Sequence, residues 1–563
     1  MLFDWQFAYP TLFPSMVPTS EQFSSADGMA ERALLLMSEY FKTEGIPIGY
    51  WQLDAWWYQM PCSCAGRCCG ATGVGAPKCE HTSNSCIKNF VANATYFPGG
   101  LVNLSNQLGA GFNLYHHLFC GEGMGGNDYE QSFNFSNQYV VPEQSLEFYK
   151  HLFAQGKQQR QVAFEIDYLS RCKIVILSRF VALSISLNLE RITIADAGIP
   201  DQRSSLTAAS QWLGGMATAA AEAHVPIQYC MQYPRHILES ALHPAVTQAR
   251  ASTDYDAPEN FFDFGHIALL NVALDLRPSK DNFRSKECTQ CNFGSRTNVE
   301  MEAILACHSR GPVGISDGPG ESDVDLVRRM ITAKGRILMP SRSMFAIDAH
   351  YAINSKRRPD GEVWSSHTVL NATIAGRRAE HRTHFVLAVG NKHSSGAGYD
   401  LQRGDLKLNA TAPYLVRRWS PDAQNGCAEK AAASSCTTTW LAAGAGPHLA
   451  LAPQNQSSPA SWDNASRPFA HELWGVYPVL GEGFALLGEL GKYVGVSETR
   501  FADLSVATDA MTVRVRGDPG EVVTVTAAVP KGSGQQNLGL RVLAVVLPQS
   551  GGEASLSFRR LPQ

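Results

Sequence analysis

Two stretches carry pairs of acidic residues in settings where a carboxylate could do chemistry. In VAFEIDYLS, Asp167 lies in an apolar context with Glu165 two residues earlier, which places both side chains on one face of a strand. In AVTQARASTDYDAP, Asp254 and Asp256 follow Arg250, whose guanidinium could hold either as a carboxylate; the alternative role for both is turn formation. Glycoside cleavage needs two carboxyl groups: one attacks the anomeric carbon or activates water, and the other protonates the leaving oxygen.

The elements that would position these acids follow a helix-then-strand order. Residues 25–41 have apolar positions at helical spacing and precede the apolar run IPIGYWQLDAWWY, and the same order recurs before strands at Phe112 and Ile227. Polar residues end these strands, namely Asp54, His117, and Cys230 with Gln232. Barrel enzymes carry their active-site residues at such strand ends. The pattern predicts an α/β fold, with a (β/α)8 TIM barrel over residues 1–345 as the first choice.

The sequence pattern changes after about residue 345. Short alternating segments such as THFVLAVG, HELWGVYPV and MTVRVRG are separated by Gly, Pro and Ser, as in antiparallel strands. We therefore expect a C-terminal β-sandwich over residues 346–563, with a polar, small-residue insertion near 419–466.

Residues 172–200 form an atypical insertion in the predicted barrel. They contain a long apolar stretch rich in β-branched residues, and no turn signal occurs before the end of the segment. Two interpretations stay open: an ordinary buried strand with a helix, or a non-coding segment retained in the gene model.

Composition favours a small neutral ligand. Charged residues are 17% of the chain, the formal net charge is −4, and no block of Lys and Arg occurs, so neither nucleic acid nor an anionic membrane is an expected partner. The 10 Trp and 18 Tyr residues suit sugar recognition, because a pyranose ring stacks its C–H face on an aromatic ring. No run of 18 apolar residues predicts a membrane span.

Cysteine usage indicates an oxidising compartment. The chain has 14 Cys, and a Cys-rich loop at residues 61–87 holds six of them: Cys62, Cys64, Cys68, Cys69, Cys79 and Cys86. Their irregular, Gly-rich spacing favours disulfides over a zinc site, and the connectivity stays open.

Seven N-x-Ser/Thr sequons add to the expectation of secretory passage: Asn93, Asn103, Asn134, Asn371, Asn409, Asn455 and Asn464. The N-terminal stretch MLFDWQFAYPTLFPSM does not resemble a signal peptide. We expect a secreted or vacuolar/lysosomal protein, with a cytoplasmic or plastid location as the alternative.

A series of motifs occurs in the order found in one enzyme family. The segments are NLYHHLFCGEGMGG, FEIDY, QYCMQ, AVTQARASTDY, LRPSKDNF and RGPVGISDGPGESDVDLVRRMITAKGRIL. Over roughly residues 46–342 they resemble the raffinose synthase and alkaline α-galactosidase group of glycoside hydrolase family 36, in clan D. The last segment is the most specific, because six of its positions, from Gly311 to Gly320, fit the family's Gly-Pro-Val…Ser-Asp-x-Pro-Gly pattern.

The resemblance implies a retaining mechanism on α-galactosides. Asp167 would be the nucleophile that forms a galactosyl-enzyme, and Asp254 the general acid/base, with Asp256 in reserve. Retaining enzymes hold these carboxyl groups about 5–5.5 Å apart. Water as acceptor gives an α-galactosidase, whereas a sugar hydroxyl gives a galactosyltransferase such as raffinose synthase. This chemistry needs no metal or organic cofactor.

The expected sugar-binding residues surround these acids. They are Asp54, Trp56, Trp57, His117, Cys120, Glu165, Cys230, Arg250, Asp281 and Asp317. Trp56 and Trp57 are either stacking platforms for the sugar or core residues, and the sequence leaves both roles open.

Three positions depart from the family pattern. Ala55 replaces the second acid of an Asp-Asp-Gly-Trp motif, Glu165 replaces a Lys, and Thr253 occupies the place of the usual general acid/base. Glu165 thus puts a carboxyl group beside the nucleophile where the family has a cation. These changes favour a catalytically impaired carbohydrate-binding homologue as an alternative. An α-glycosidase with a different sugar preference is another, because Asp54 alone does not fix the axial hydroxyl. The oligomeric state stays open.

Overall fold

The structure is a computed structural model in which the described residues are 2–4, 28–54, 57–60, 86–121, 126–136, 138–167, 169, 207–252, 261–286, 298–351, 362–389, 399–421, 438–441, 449–451, 471–532 and 538–562. Several predicted features lie outside them: Trp56, Asp254, Asp256, most of the Cys-rich loop and the 172–200 insertion. The chain divides into two units. The first comprises Met1–Arg250, Leu270–Asn282 and Gly314–Glu321, and the second comprises Ala251–Leu269, Phe283–Val313 and Ser322–Gln563.

A curled parallel sheet of eight strands forms the centre of the first unit. The strands are β1 (Leu2–Asp4), β2 (Tyr50–Leu53), β3 (Gly111–His116), β4 (Gln161–Ile166), β5 (Ile227–Tyr229), β6 (Val246–Arg250), β7 (Arg277–Ser279) and β8 (Gly314–Ile315). Their order is β7-β6-β5-β4-β3-β2-β1-β8, so strands adjacent in the sequence are neighbours from β1 to β7. All seven pairings are parallel, which brings the carboxyl ends of the strands to one edge.

Helices alternate with these strands, as the sequence predicted. Over the described residues they are α1 (Met29–Thr43), α2 (Gly100–Leu108), α3 (Ser145–Gln158), α4 (Ala208–Glu222), α5 (Pro234–Ser240), α6 (Phe261–Ala273), α7 (Val299–His308) and α8 (Val324–Arg328). Gly109 ends α2 in the left-handed conformation with φ 72°, which glycine adopts without strain. Asn298 and Asp323 cap α7 and α8 by accepting a backbone N–H through the side chain.

Burial explains why α3 and β4 form where they do. Phe148, Leu152 and Phe153 repeat at helical spacing on α3 and are fully buried. The Phe153 ring meets Phe164 of β4 edge-on, with centroids 5.0 Å apart. The apolar stripe of the helix therefore covers one face of the strand that carries Glu165.

A nine-stranded sheet dominates the second unit. Its strands are β9 (Arg342–Ala346), β10 (Glu362–Ile374), β11 (Arg377–Val389), β12 (Tyr414–Arg418), β13 (Thr438–Leu441), β14 (His471–Pro478), β15 (Phe501–Val506), β16 (Ala510–Arg516) and β17 (Glu553–Arg559). The order is β13-β12-β14-β11-β10-β15-β16-β17, with β9 on β10. Pairing is antiparallel except between β10 and β15. A separate three-stranded sheet joins Ala485–Gly488, Val522–Pro530 and Leu538–Val546.

The structure confirms the coarse fold class, and the closed barrel and the sandwich remain predictions. An α/β part precedes a β-rich part, and THFVLAVG, HELWGVYPV and MTVRVRG are strands. Pairs between β7 and β8, which would close a barrel, are absent over the described residues. In the same part of the chain no helix is both long enough and apolar enough to cross a membrane.

Candidate active site

Polar side chains collect at the carboxyl edge of the parallel sheet. The residues at or just after the strand ends are Asp54 (β2), His117 (β3), Asp167 (β4), Cys230 (β5), Arg250 (β6), Asp281 (β7) and Asp317 (β8). The sequence named all seven as site residues and predicted strand-end positions for Asp54, His117 and Cys230. Because the strands are parallel, one edge receives all of them, which is where ligands bind in such sheets.

Asp167 is held by neighbours on both sides of β4. Its backbone N–H bonds to the carbonyl of His116, 3.0 Å away on β3. The hydroxyl of Tyr115 donates to Asp167 Oδ2 over 2.7 Å. On the other side, the Cys230 thiol makes a side-chain hydrogen bond with Asp167, and burial holds the pKa of that thiol well above its usual range. Cys230 is thus a neutral donor, and the carboxylate has a fixed orientation.

Glu165 lies two residues before Asp167, so both side chains are on the same face of the strand. Glu165 is 1% exposed. The amide of Gln52 donates to Glu165 Oε2 over 2.6 Å. Burial, and then the negative charges of Asp167 and Asp54, hold the pKa of Glu165 well above its ordinary value, while Arg250 opposes the shift. This setting favours the protonated form of the Glu165 carboxyl group.

Four buried amides form a layer beneath the acids. Gln248 donates to Gln228 over 2.6 Å, and Asn113 donates to Gln52 over 2.9 Å. A longer bond of 3.5 Å joins Asn113 to Gln228. The chain of hydrogen bonds therefore crosses strands β2, β3, β5 and β6 and ends at Glu165, which fixes the floor of the site.

Arg250 and Asp281 tie β6 to β7. Arg250 Nη1 lies 3.1 Å from Asp281 Oδ2, and both side chains are buried. The other oxygen of Asp281 accepts from the backbone and side-chain N–H groups of Asn282 at 2.8 and 3.1 Å. Beside them, burial lowers the pKa of Lys280 to about 8, with Asp281 opposing this shift. Asp281 can still accept from a ligand hydroxyl, but its first role is to hold Arg250.

Cys120 has a role that the sequence did not predict. It was expected to line the sugar pocket, but its sulfur forms a disulfide with Cys86, 34 residues earlier, and the residue is fully buried. Cys86 was assigned to the Cys-rich loop, whose disulfide connectivity the sequence left open. The bond instead ties the segment before Asn89–Ala92 to the one after β3, so Cys120 offers no thiol to a ligand.

Trp57 packs in the core. It is fully buried, its indole N–H donates to the carbonyl of Tyr115 over 2.9 Å, and its ring meets Phe90 edge-on. Of the two roles left open for Trp57, the structure shows core packing; Trp56 lies outside the described residues. His117 and Asp317 are buried, at 3% and 0% exposure.

Tyr115 and the amide layer were not predicted from the sequence. The sequence pattern that indicates them is a polar residue two positions before a strand-end residue, inside an otherwise apolar strand. The examples are Gln52 before Asp54, Asn113 and Tyr115 before His117, Gln228 before Cys230, and Gln248 before Arg250. Alternate residues of a strand face the same side, so each strand-end residue implies an inward-facing partner two positions earlier.

The arrangement can bind a polyhydroxylated ligand and present one oriented carboxylate to it. Buried carboxyl, amide, guanidinium and phenol groups alternate around Asp167, which suits a ring bearing several hydroxyls. Over the residues that the structure describes, no group of three or more His, Cys, Asp or Glu side chains is arranged to hold a metal ion.

Comparison with known proteins gives a limited result. No family model matches the chain, and no curated protein matches it. Among solved structures, a match is the GH31 alpha-xylosidase from Xanthomonas citri, at 9% sequence identity and a TM-score of 0.43. The alignment covers 94% of this chain and 58% of that chain, so this chain spans less than two thirds of its length. The resemblance to glycoside hydrolase family 36 stays a prediction.

Proposed function

We propose that the protein is a retaining glycoside hydrolase that acts on α-galactosides. The observation that carries the proposal is Asp167, a carboxylate oriented by Tyr115 and Cys230 at the carboxyl edge of a parallel sheet. A nucleophilic carboxylate needs such fixed orientation, because the reacting atoms must be aligned before bond formation. The neighbouring Asp54, Glu165 and Arg250 supply the polar contacts that a sugar requires.

The proposed reaction is a double displacement. Asp167 attacks the anomeric carbon and forms a β-linked galactosyl-enzyme, while Asp254 gives a proton to the departing oxygen. Asp254 then removes a proton from the acceptor, whose oxygen displaces Asp167 and restores its carboxylate. Asp256 is the reserve for the acid/base role. Water as acceptor yields free galactose, and a sugar hydroxyl yields a transfer product.

The architecture proposed with this function is a closed (β/α)8 barrel at residues 1–345 and a β-sandwich at 346–563. The order of β1 to β8 supports the first part, because it is the order of a barrel cut between β7 and β8. Secretion is part of the proposal as well. The Cys86–Cys120 disulfide supports it, since such bonds persist in oxidising compartments.

A second candidate function is sugar binding without turnover. It is favoured by Thr253, at the position of the family's general acid/base, and by Ala55, at the position of a sugar-gripping acid. An α-glycosidase with another sugar preference is the third possibility, since Asp54 alone does not fix the recognition of an axial hydroxyl.

The test is a substrate panel on the secreted protein. Aryl α-galactoside, α-glucoside and α-xyloside with one common leaving group compare the sugars, and raffinose, melibiose and galactinol compare the natural linkages. The proposal expects fastest release from the α-galactoside. Preference for another sugar would replace the substrate, whereas galactose binding without release would favour the binding protein. Product analysis with added sucrose separates transfer from hydrolysis.

A further inference from the structure

The two oxygens of Glu165 have different surroundings. Oε2 accepts the 2.6 Å hydrogen bond from Gln52, whose own carbonyl oxygen is occupied by Asn113. Oε1 makes no hydrogen bond with any part of the chain that the structure describes. The completely buried polar atoms that lack a hydrogen-bond partner do not include Oε1. Oε1 is therefore the oxygen of Glu165 whose hydrogen-bonding capacity is not used by the described part of the chain.

The charges around Glu165 favour its acid form. The ionisable groups that face it are Asp167 just after the same strand, Asp54 after β2, Tyr115 on β3, Cys230 after β5, Arg250 on β6 and Asp281 after β7. Three are carboxyl groups and one is a guanidinium, which Asp281 already binds. Burial and the carboxylates together hold the pKa of Glu165 well above its ordinary range.

We propose that Glu165 is a specificity residue that works as a neutral acid, with its Oε1–H donating a hydrogen bond to a hydroxyl oxygen of the bound sugar. This inference rests on the proposed function. The carbonyl-type oxygen is the better acceptor, so the bond from Gln52 leaves the proton on Oε1. A neutral Glu165 also puts no second negative charge beside Asp167. The carboxyl group that replaces the family's Lys at this position then does not repel the proposed nucleophile.

The proton on Glu165 is tested without any sugar, by comparing wild type with Glu165→Gln. The amide keeps an acceptor for Gln52 and a donor for the site but cannot titrate. Folded Glu165 retains a proton that the unfolded chain loses above a pH of about 4.3. Raising the pH therefore disfavours folding of the wild type. The folding equilibrium constant falls tenfold for each pH unit until the raised pKa of Glu165 is reached. The thermal midpoint of Glu165→Gln should climb relative to wild type from about pH 5 up to the raised pKa of Glu165.

Exposed Glu147 on α3 provides the control, because Glu147→Gln also removes one carboxyl group. Its midpoint should follow the wild-type curve. Parallel curves for wild type and Glu165→Gln would overturn the proposal, since they would mean that Glu165 is ionised in the folded protein.

The contact with sugar is tested by calorimetric titration with galactose. Glu165→Gln should bind nearly as well as wild type, and Glu165→Ala roughly 3- to 10-fold more weakly, the value of one hydrogen bond. Equal weakening in both variants would overturn the donor role. If the wild-type protein binds no galactose, both the proposed function and the sugar contact of Glu165 are contradicted. The pH comparison of thermal midpoints still decides whether Glu165 carries a proton in the folded protein.

Discussion

The hydroxyl of Tyr115 orients the proposed nucleophile, and removing it isolates that effect. In the second half of the reaction Asp167 leaves the sugar as a carboxylate, so a 2.7 Å hydrogen bond to it stabilises the developing charge. A hydrogen bond to a charged group contributes about 1.5–3 kcal/mol, so Tyr115→Phe should lower kcat for an aryl α-galactoside by roughly 10- to 150-fold. Steady-state kinetics with an activated leaving group measures this.

Tyr149→Phe is the matched control. Tyr149 is a buried tyrosine on α3 whose ring packs among aromatic side chains. The change should leave kcat near the wild-type value. If Tyr115→Phe did the same at an unchanged thermal midpoint, Tyr115 would have no part in the reaction.

At this scale the sequence predicted the strand-end residues but not their bonds. Asp54, His117 and Cys230 follow apolar runs, and that pattern alone places them at a sheet edge. The partners of a side chain depend on register between strands, which single-strand periodicity does not contain. The pairing of Cys86 with Cys120 was unpredictable for the same reason, because it depends on distance in the folded chain.

The buried ion pair between Arg250 and Asp281 holds strands β6 and β7 together. Asp281→Leu would leave Arg250 buried without its carboxylate partner, which costs about 3–5 kcal/mol. The thermal midpoint should fall clearly, and the Arg250→Met and Asp281→Leu double variant should recover part of the loss, because two apolar groups replace both charges. A differential scanning measurement on all variants checks this.

The exposed pair of Lys150 and Glu222, 3.2 Å apart, offers the comparison within the same unit. Lys150→Met should change the midpoint little, since solvent screens such pairs. An Asp281→Leu variant that melts like Lys150→Met would show that the buried pair does not hold the two strands.

Helices and strands were easier to predict than their assembly. Helical spacing before the β2, β3 and β5 strands was sufficient for the alternation, because each element shows its own period. Closure of the sheet and the face-to-face packing of a sandwich depend on contacts between elements distant in sequence, so these stay proposals.

The whole chain is proposed to pass through the secretory pathway, and its sequons make this measurable. Asn103, Asn134, Asn371 and Asn409 are exposed, so a glycosyltransferase could reach them. Protein from a eukaryotic secretory host should lose mass on treatment with an amidase that removes N-glycans. Changing these four residues to Gln should abolish most of that loss. Protein with no glycan at any of the four would contradict the secretory assignment.

The most direct test of the account is chemical rescue at Asp167. Wild-type protein should hydrolyse an aryl α-galactoside, and folded Asp167→Ala should lose that activity. Azide should restore aryl release in the variant and give β-galactosyl azide, because the small anion enters the space that the carboxylate vacated and attacks the same face of the sugar. Undiminished hydrolysis by Asp167→Ala, or galactose binding by a folded wild-type protein that releases no product, would contradict the account.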